Sequence, residues 1–160
     1  MSNKGDAHMN LLFTLSSVLL IGAEITVASA AFAQGLPAAV TQKVQAAQKQ
    51  VKTIGMEEYR KVVENPGGTL IVDVREPQEY AAGHVPGAIN IPRGVIEFKI
   101  WNQVGYPANT QMDQPIVLQC QSGNRASLAA QSLADLGFTR INAVVMSLDD
   151  WQQSGHPFVK

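Results

Sequence analysis

Cysteine occurs once in this chain, at position 120. That scarcity excludes an internal disulfide, and with it any small disulfide-stapled architecture. A zinc centre is also excluded as a sequence reading, because one cysteine with His84 and His156 on separate loops makes no ligand set. No cofactor motif stands out either. Charge is sparse as well: 16% of residues are charged and the formal net charge is −1. Nothing therefore advertises a nucleic-acid or membrane-surface partner. Internal repeats and low-complexity tracts are missing, and 160 residues with 46% hydrophobic composition suit one globular domain.

The first 33 residues are of another kind. Lys4 precedes an apolar run over 11–23, then Glu24, then a second run to Ala31-Phe32-Ala33. A basic start, an h-region of secretory length and a small-x-small site predict a signal peptide over 1–33, cleaved before Gln34. The alternative is a membrane anchor over 11–33, against which Glu24 near its centre would cost about 2.5–3.5 kcal/mol. The expectation is export, to the periplasm, with no stable membrane association once the segment is removed. Cleavage removes Lys4, Asp6 and Glu24 and leaves a formally neutral chain.

The lone thiol sits in the most informative stretch, Gln119-Cys120-Gln121-Ser122-Gly123-Asn124-Arg125-Ala126-Ser127. An apolar run, Pro115-Ile116-Val117-Leu118, leads in, and a helical pattern of Ala126, Ala129, Ala130, Leu133 and Leu136 leads out. This predicts a buried strand, a tight loop and a helix, with the thiol where open α/β sheets place ligands. The amides of 121–125 can form an anion-binding nest backed by the helix N-terminus, a setting that favours the nucleophilic thiolate. Gly123 supplies the backbone freedom such a loop needs, and Arg125 a fixed cation. The competing reading is a buried cysteine packing as a small hydrophobe.

Around this centre, 34–50 reads as an extra N-terminal amphipathic helix, with Val40, Val44, Ala47 and Val51 on one stripe. It is expected to pack on the outside of a domain spanning 51–160; partner binding is the alternative. Residues 51–54 read as a short strand and 56–63 as a helix facing inward through Met56, Tyr59 and Val63. The run 69–74 reads as a strand buried on both faces. Pro77 opens a short helix to residue 82, and Arg75 and Glu79 are spaced to pair. His84, in Gly83-His84-Val85-Pro86-Gly87-Ala88, reads as a structural turn residue, with catalysis the alternative. Residues 93–110 read as a long ordered connection. Gly137 ends the helix after Cys120, 141–145 is the last strand, and Ser147 caps a final helix over 148–153. Strands alternating with helices imply an α/β fold built on a parallel sheet.

Taken together, these stretches resemble the rhodanese (sulfurtransferase) family over about 51–159. The resemblance is carried by Ile71-Val72-Asp73-Val74-Arg75-Glu76-Pro77-Gln78-Glu79-Tyr80 and Gly83-His84-Val85-Pro86-Gly87-Ala88-Ile89-Asn90-Ile91-Pro92. The Cys120-x-x-Gly123-x-Arg125 loop, Leu136-Gly137-Phe138 and Trp151 complete it. It implies a five-stranded parallel sheet with helices on both faces and a sulfane sulfur carried on Cys120 as a persulfide. It further implies that Arg125 and the amides of Gln121, Ser122, Gly123 and Asn124 bind a small anionic sulfur donor such as thiosulfate. The acceptor is then cyanide, a thiol, or a thiol on a partner protein. Asp73 and Arg75 match the family's Asp-x-Arg motif and are expected to support the loop.

Met146-Ser147 stands where the family usually has Gly-Gly, so bulkier side chains are expected to crowd the rim of the site. Gln119 stands where many members carry an aromatic or histidine. Two rival functions remain open on the residues: a cysteine phosphatase or arsenate reductase, and a non-catalytic sulfur-carrier or binding module. The loop bears on the first rival, since four residues lie between Cys120 and Arg125 and the phosphatase families carry one more.

Overall fold

The computed structural model describes residues 35–160; the predicted signal segment, and the anchor alternative, lie outside the described residues. Five strands form one sheet: β1 (Lys52–Ile54), β2 (Leu70–Asp73), β3 (Ile89–Asn90), β4 (Ile116–Gln119) and β5 (Ile141–Val144). Their order is β1-β5-β4-β2-β3 and every pairing is parallel. The family resemblance implied this sheet, and it is present. Only β3, two residues long, had no signature of its own in the residue pattern.

Side-chain alternation along the strands divides the core in two. Val72, Val74, Ile116, Leu118 and Cys120 face α5 (Asn124–Asp135) and α4 (Ile96–Lys99). Ile71, Val117 and Val144 face Tyr59 on α2 (Met56–Glu64) and Leu148 and Trp151 on α6 (Leu148–Gln153). Helices thus cover both faces, as a parallel sheet requires. Ala126, Ala129 and Ala130 are fully buried on α5, and their small side chains let the helix sit close to β4. Leu136, placed on that stripe by the sequence pattern, is instead exposed: it caps the helix just before Gly137, whose φ of +97° turns the chain away.

The N-terminal helix α1 runs from Ala38 to Gln50, starting later than predicted because Pro37 is its N-cap. It lies on α5, with Gln131 donating to Gln50 at 2.6 Å. Val44 and Ala47 are buried, whereas Val40 is exposed. The 93–110 connection is ordered, as expected. It is built from the 3-10 turns Arg93–Val95 and Ile100–Gln103 on either side of α4, and is pinned by buried Ile96, Ile100 and Val104. Among the described residues no helix is long and apolar enough to cross a membrane.

A charged pair is buried at the edge of the second core. Asp73 ends β2 fully buried, and Arg75 turns back onto it through Nε, at 3.1 and 3.0 Å, and Nη2, at 2.7 Å. Nη2 also donates to the Gly83 carbonyl at 2.7 Å, tying the strand end to the turn after α3 (Pro77–Ala81). Arg75 therefore does not pair with Glu79. The i,i+4 rule holds within a helix, and Arg75 precedes the N-cap Glu76 in extended backbone.

Removing one partner of a buried pair leaves a charge in the core. Arg75→Met is expected to cost about 3–5 kcal/mol, read as a lowered urea midpoint. A loss below about 1 kcal/mol would show that water reaches Asp73.

Candidate active site

β4 delivers its last side chains to the end of the sheet where the chain reverses its winding. After β2 the chain moves outward to β3, and after β4 it moves the other way to β5, so the ends of β2 and β4 flank the switch point. Cys120 follows β4 directly and is 2% exposed. Beyond it, Gly123 adopts φ +87° and is the N-cap of α5. A side chain is barred at 123: a Cβ would stand 2.8 Å from Val145 Cα and 2.9 Å from the Val144 carbonyl oxygen. The Gly123 N–H points back and donates to Cys120 Sγ at 3.2 Å.

The loop is braced on both sides. The Gly123 carbonyl accepts from the Ser127 amide at 2.9 Å and the Ser127 hydroxyl at 2.7 Å. Gln48 of α1 donates to that hydroxyl at 3.2 Å, so the extra N-terminal helix reaches the cysteine loop through one side chain. On the other side the Leu148 amide donates to the Gln121 carbonyl at 2.9 Å, and Gln121 Nε2 donates to Asp149 at 2.9 Å. Of the residues expected to form the cradle, Gly123 reaches the sulfur with its amide. Gln121 sends its side chain to α6, Ser122 is exposed, and Asn124 opens α5 half-buried.

Arg125 lies in the first turn of α5, five residues after Cys120, and its guanidinium is already engaged. Nη1 and Nη2 donate to the two carboxylate oxygens of Glu79 at 2.6 and 2.7 Å, a fork-to-fork pair. Glu79 also accepts the Glu76 amide at 3.0 Å, the return half of a capping box at the start of α3. The Arg125 hydrogen bonds hold the Glu79 carboxyl down from the ordinary 4.5 to about 2. Sequence reasoning missed Glu79 as part of this site. The capping-box spacing from Glu76 was the available signal, since it fixes the carboxylate at the helix start.

Asp73 and Arg75 stand one layer below. Asp73 is paired in register with Gln119, whose amide is buried with no hydrogen-bond partner among the described residues. The Tyr59 hydroxyl of the same core is likewise unpartnered, and burial pushes it above the usual tyrosine range. His84 is taken up in its turn: its ring stacks on Tyr80 at 3.8 Å and its backbone pairs with Val159. Met146 packs against the second core, and Ser147 accepts from the Asp150 amide as the cap of α6. The residue that backs the loop is Val145, one position earlier than the pair expected at the rim. An open cleft of about 400 Å³ lined by Phe98, Trp101, Asn102 and Tyr106 lies in the 93–110 connection and has none of these residues in its wall.

Comparison with known proteins places this geometry. Residues 56–154 match the model of the rhodanese-like domain. A putative sulfur carrier protein of Bacillus subtilis (strain 168) is 32% identical over 101 residues, covering 63% of this chain and 51% of that protein. The chain thus spans about half the length of the curated relative it matches. Among solved structures, a Rhodopseudomonas palustris protein of unknown function, described as a possible tyrosine phosphatase, aligns with TM-score 0.65 and 22% identity. It covers 79% of this chain and 98% of its own, and at that identity the likeness shows the fold alone. The polysulfide-sulfur transferase homodimer of Wolinella succinogenes aligns with TM-score 0.61 and 26% identity, over 76% of this chain and 88% of that one.

The depressed Glu79 carboxyl has a consequence for stability. A lowered folded-state pKa contributes stability that is full above the unfolded value of 4.5 and is lost as pH falls through about 2. Glu79→Gln removes that titration, so its urea midpoint is expected to fall less steeply than that of the unaltered chain across this window. Parallel profiles would mean the pair does not persist in solution.

Proposed function

This chain belongs to the rhodanese-like family, and we propose that it moves a sulfane sulfur through a persulfide on Cys120. The observation that carries the reading is the Gly123 amide 3.2 Å from Cys120 Sγ, on a loop whose backbone leaves no room for a side chain at 123. An amide aimed at sulfur stabilises the anionic form of both the thiolate and the persulfide.

The reaction has two displacements. The Cys120 thiolate attacks the outer sulfur of a donor such as thiosulfate; the donor's sulfur–sulfur bond breaks and sulfite leaves with the electron pair. A nucleophilic acceptor, cyanide or a thiol, then attacks the terminal sulfur, and the Cys120 thiolate is the leaving group. Splitting one transfer into two is covalent catalysis and implies ping-pong kinetics. The backbone amides of Gln121, Ser122, Gly123 and Asn124, with Arg125, are proposed to face the donor, and Asp73 and Arg75 to support the loop from beneath. A second reading, a carrier loaded once and emptied by a dedicated partner thiol, is favoured by the name of the Bacillus subtilis relative. Multiple turnover against a single stoichiometric load separates the two.

After incubation with thiosulfate, Cys120 is expected to gain one sulfur atom by mass spectrometry. The same preparation should transfer it to cyanide while leaving an aryl phosphate intact, and Cys120→Ser should neither gain the sulfur nor transfer it. Efficient phosphate hydrolysis with no response to thiosulfate would establish the phosphatase alternative.

We also propose export with cleavage before Gln34. Intact mass of the chain from the envelope fraction tests it: loss of residues 1–33 is expected, and their retention would support the anchor.

A further inference from the structure

The Glu79–Arg125 pair is unexplained by sulfur transfer alone. Glu79 belongs to the connection that leaves β2 and Arg125 to the one that leaves β4, and these part in opposite directions along the sheet. The two side chains therefore meet across the crevice where such a sheet takes its ligand. Neither is a core group: 33% of the Arg125 side chain and 37% of the Glu79 side chain is exposed. Each is nevertheless fixed, Glu79 by the capping box from behind and Arg125 by the first turn of α5. The cation of the cysteine loop thus meets an incoming donor with its hydrogen-bonding edge already occupied by a carboxylate.

On the sulfurtransfer reading above, we propose that Glu79 is a specificity-determining residue that selects the donor by charge. Thiosulfate, a dianion, must displace or bypass a seated carboxylate and meets a pair with no net charge in place of a free guanidinium. An alkyl persulfide, RS–SH, carries its transferable sulfur without that requirement and is the donor class this site favours. In its step the Cys120 thiolate attacks the outer sulfur, the donor's sulfur–sulfur bond breaks, RS⁻ leaves, and Cys120 holds the S–SH group. One sulfane sulfur changes hands, and no outside oxidant or reductant is needed.

The test is the rate at which Cys120 gains one sulfur, by mass spectrometry, from thiosulfate and from 2-hydroxyethyl persulfide. Glu79→Gln keeps an oxygen for the Glu76 amide, and hence the start of α3, but removes the charge. Freed charge-assisted bonds predict a gain of about 10-fold or more with thiosulfate. With the persulfide the rate should stay within about twofold. Glu79→Asp, which keeps the charge but loses reach, should give a smaller gain in the same direction. In an Arg125→Ala background Glu79→Gln should lose its selectivity and move both donors alike, because the group they compete for is gone. Equal changes with both donors in the Arg125 chain, or a loss with thiosulfate, would overturn the inference and leave Glu79 a brace. Absence of loading from either donor in every variant would overturn the sulfurtransfer reading, and this inference with it.

Discussion

A carboxylate buried at the end of a central strand has to be answered locally, and at Asp73 the answer comes two residues later. Arg75 closes on it with three hydrogen bonds and hands its remaining edge to the Gly83 carbonyl. The Arg75 amide itself donates to Asp73 at 2.9 Å, so the chain cannot continue straight out of β2. Asn90 fastens the neighbouring strand by donating to the Asp73 and Arg75 carbonyls, each at 2.9 Å. The direction of α3, and with it the place of Glu79, follows from these bonds. Replacing such a pair with apolar groups can be neutral for stability, so its value here is directional: it decides which way the chain leaves the strand.

The site above is a second case of charge being answered, this time at the surface. An unpaired guanidinium at a helix start on the cysteine loop would be a general anion trap. Glu79 converts it into a matched pair whose strength depends on what else is in the crevice. The pair is partly solvated, so its exchange with an incoming anion is a competition between similar interactions. On the proposed sulfur-transfer reading, a modest change in donor charge would decide occupancy, whereas the sulfur chemistry at Cys120 would be common to every donor. Specificity and reactivity would then rest on different residues.

Most of the fold was legible because its strong signals are local. A continuous β-branched run announced β2 and an apolar run β4, and glycine and proline marked turns around them. The cysteine loop was legible for the same reason, with strand, glycine and helix falling within a dozen residues. What was not legible depended on residues far apart in sequence. Arg125 and Glu79 are separated by 46 positions, and the helical spacing rule that offered Arg75 as Glu79's partner does not apply across the start of α3. Met146 was expected at the rim of the site because it stands in place of a glycine, but strand alternation turns it to the opposite core. The close approach predicted for that segment does occur, at Val145 against Gly123.

That close approach also bears on the choice between sulfur and phosphate. The loop from Cys120 to Arg125 has four residues between its ends, and Gly123 is pressed against β5 with no space behind it. Any ring of amides closed by a loop so confined would have a small radius. On the proposed reading it would hold a single added sulfur, bonded to Cys120 at about 2.05 Å, with the Gly123 amide aimed at that side. A tetrahedral phosphoryl group needs donors around each of its oxygens, and hence a wider ring. Widening this ring would move Gly123 into Val145 or draw the start of α5 away from β4, where three buried alanines hold it close. The loop's chemistry is therefore set by the packing behind it: the same contact that makes glycine obligatory at 123 limits what can be seated on the cysteine.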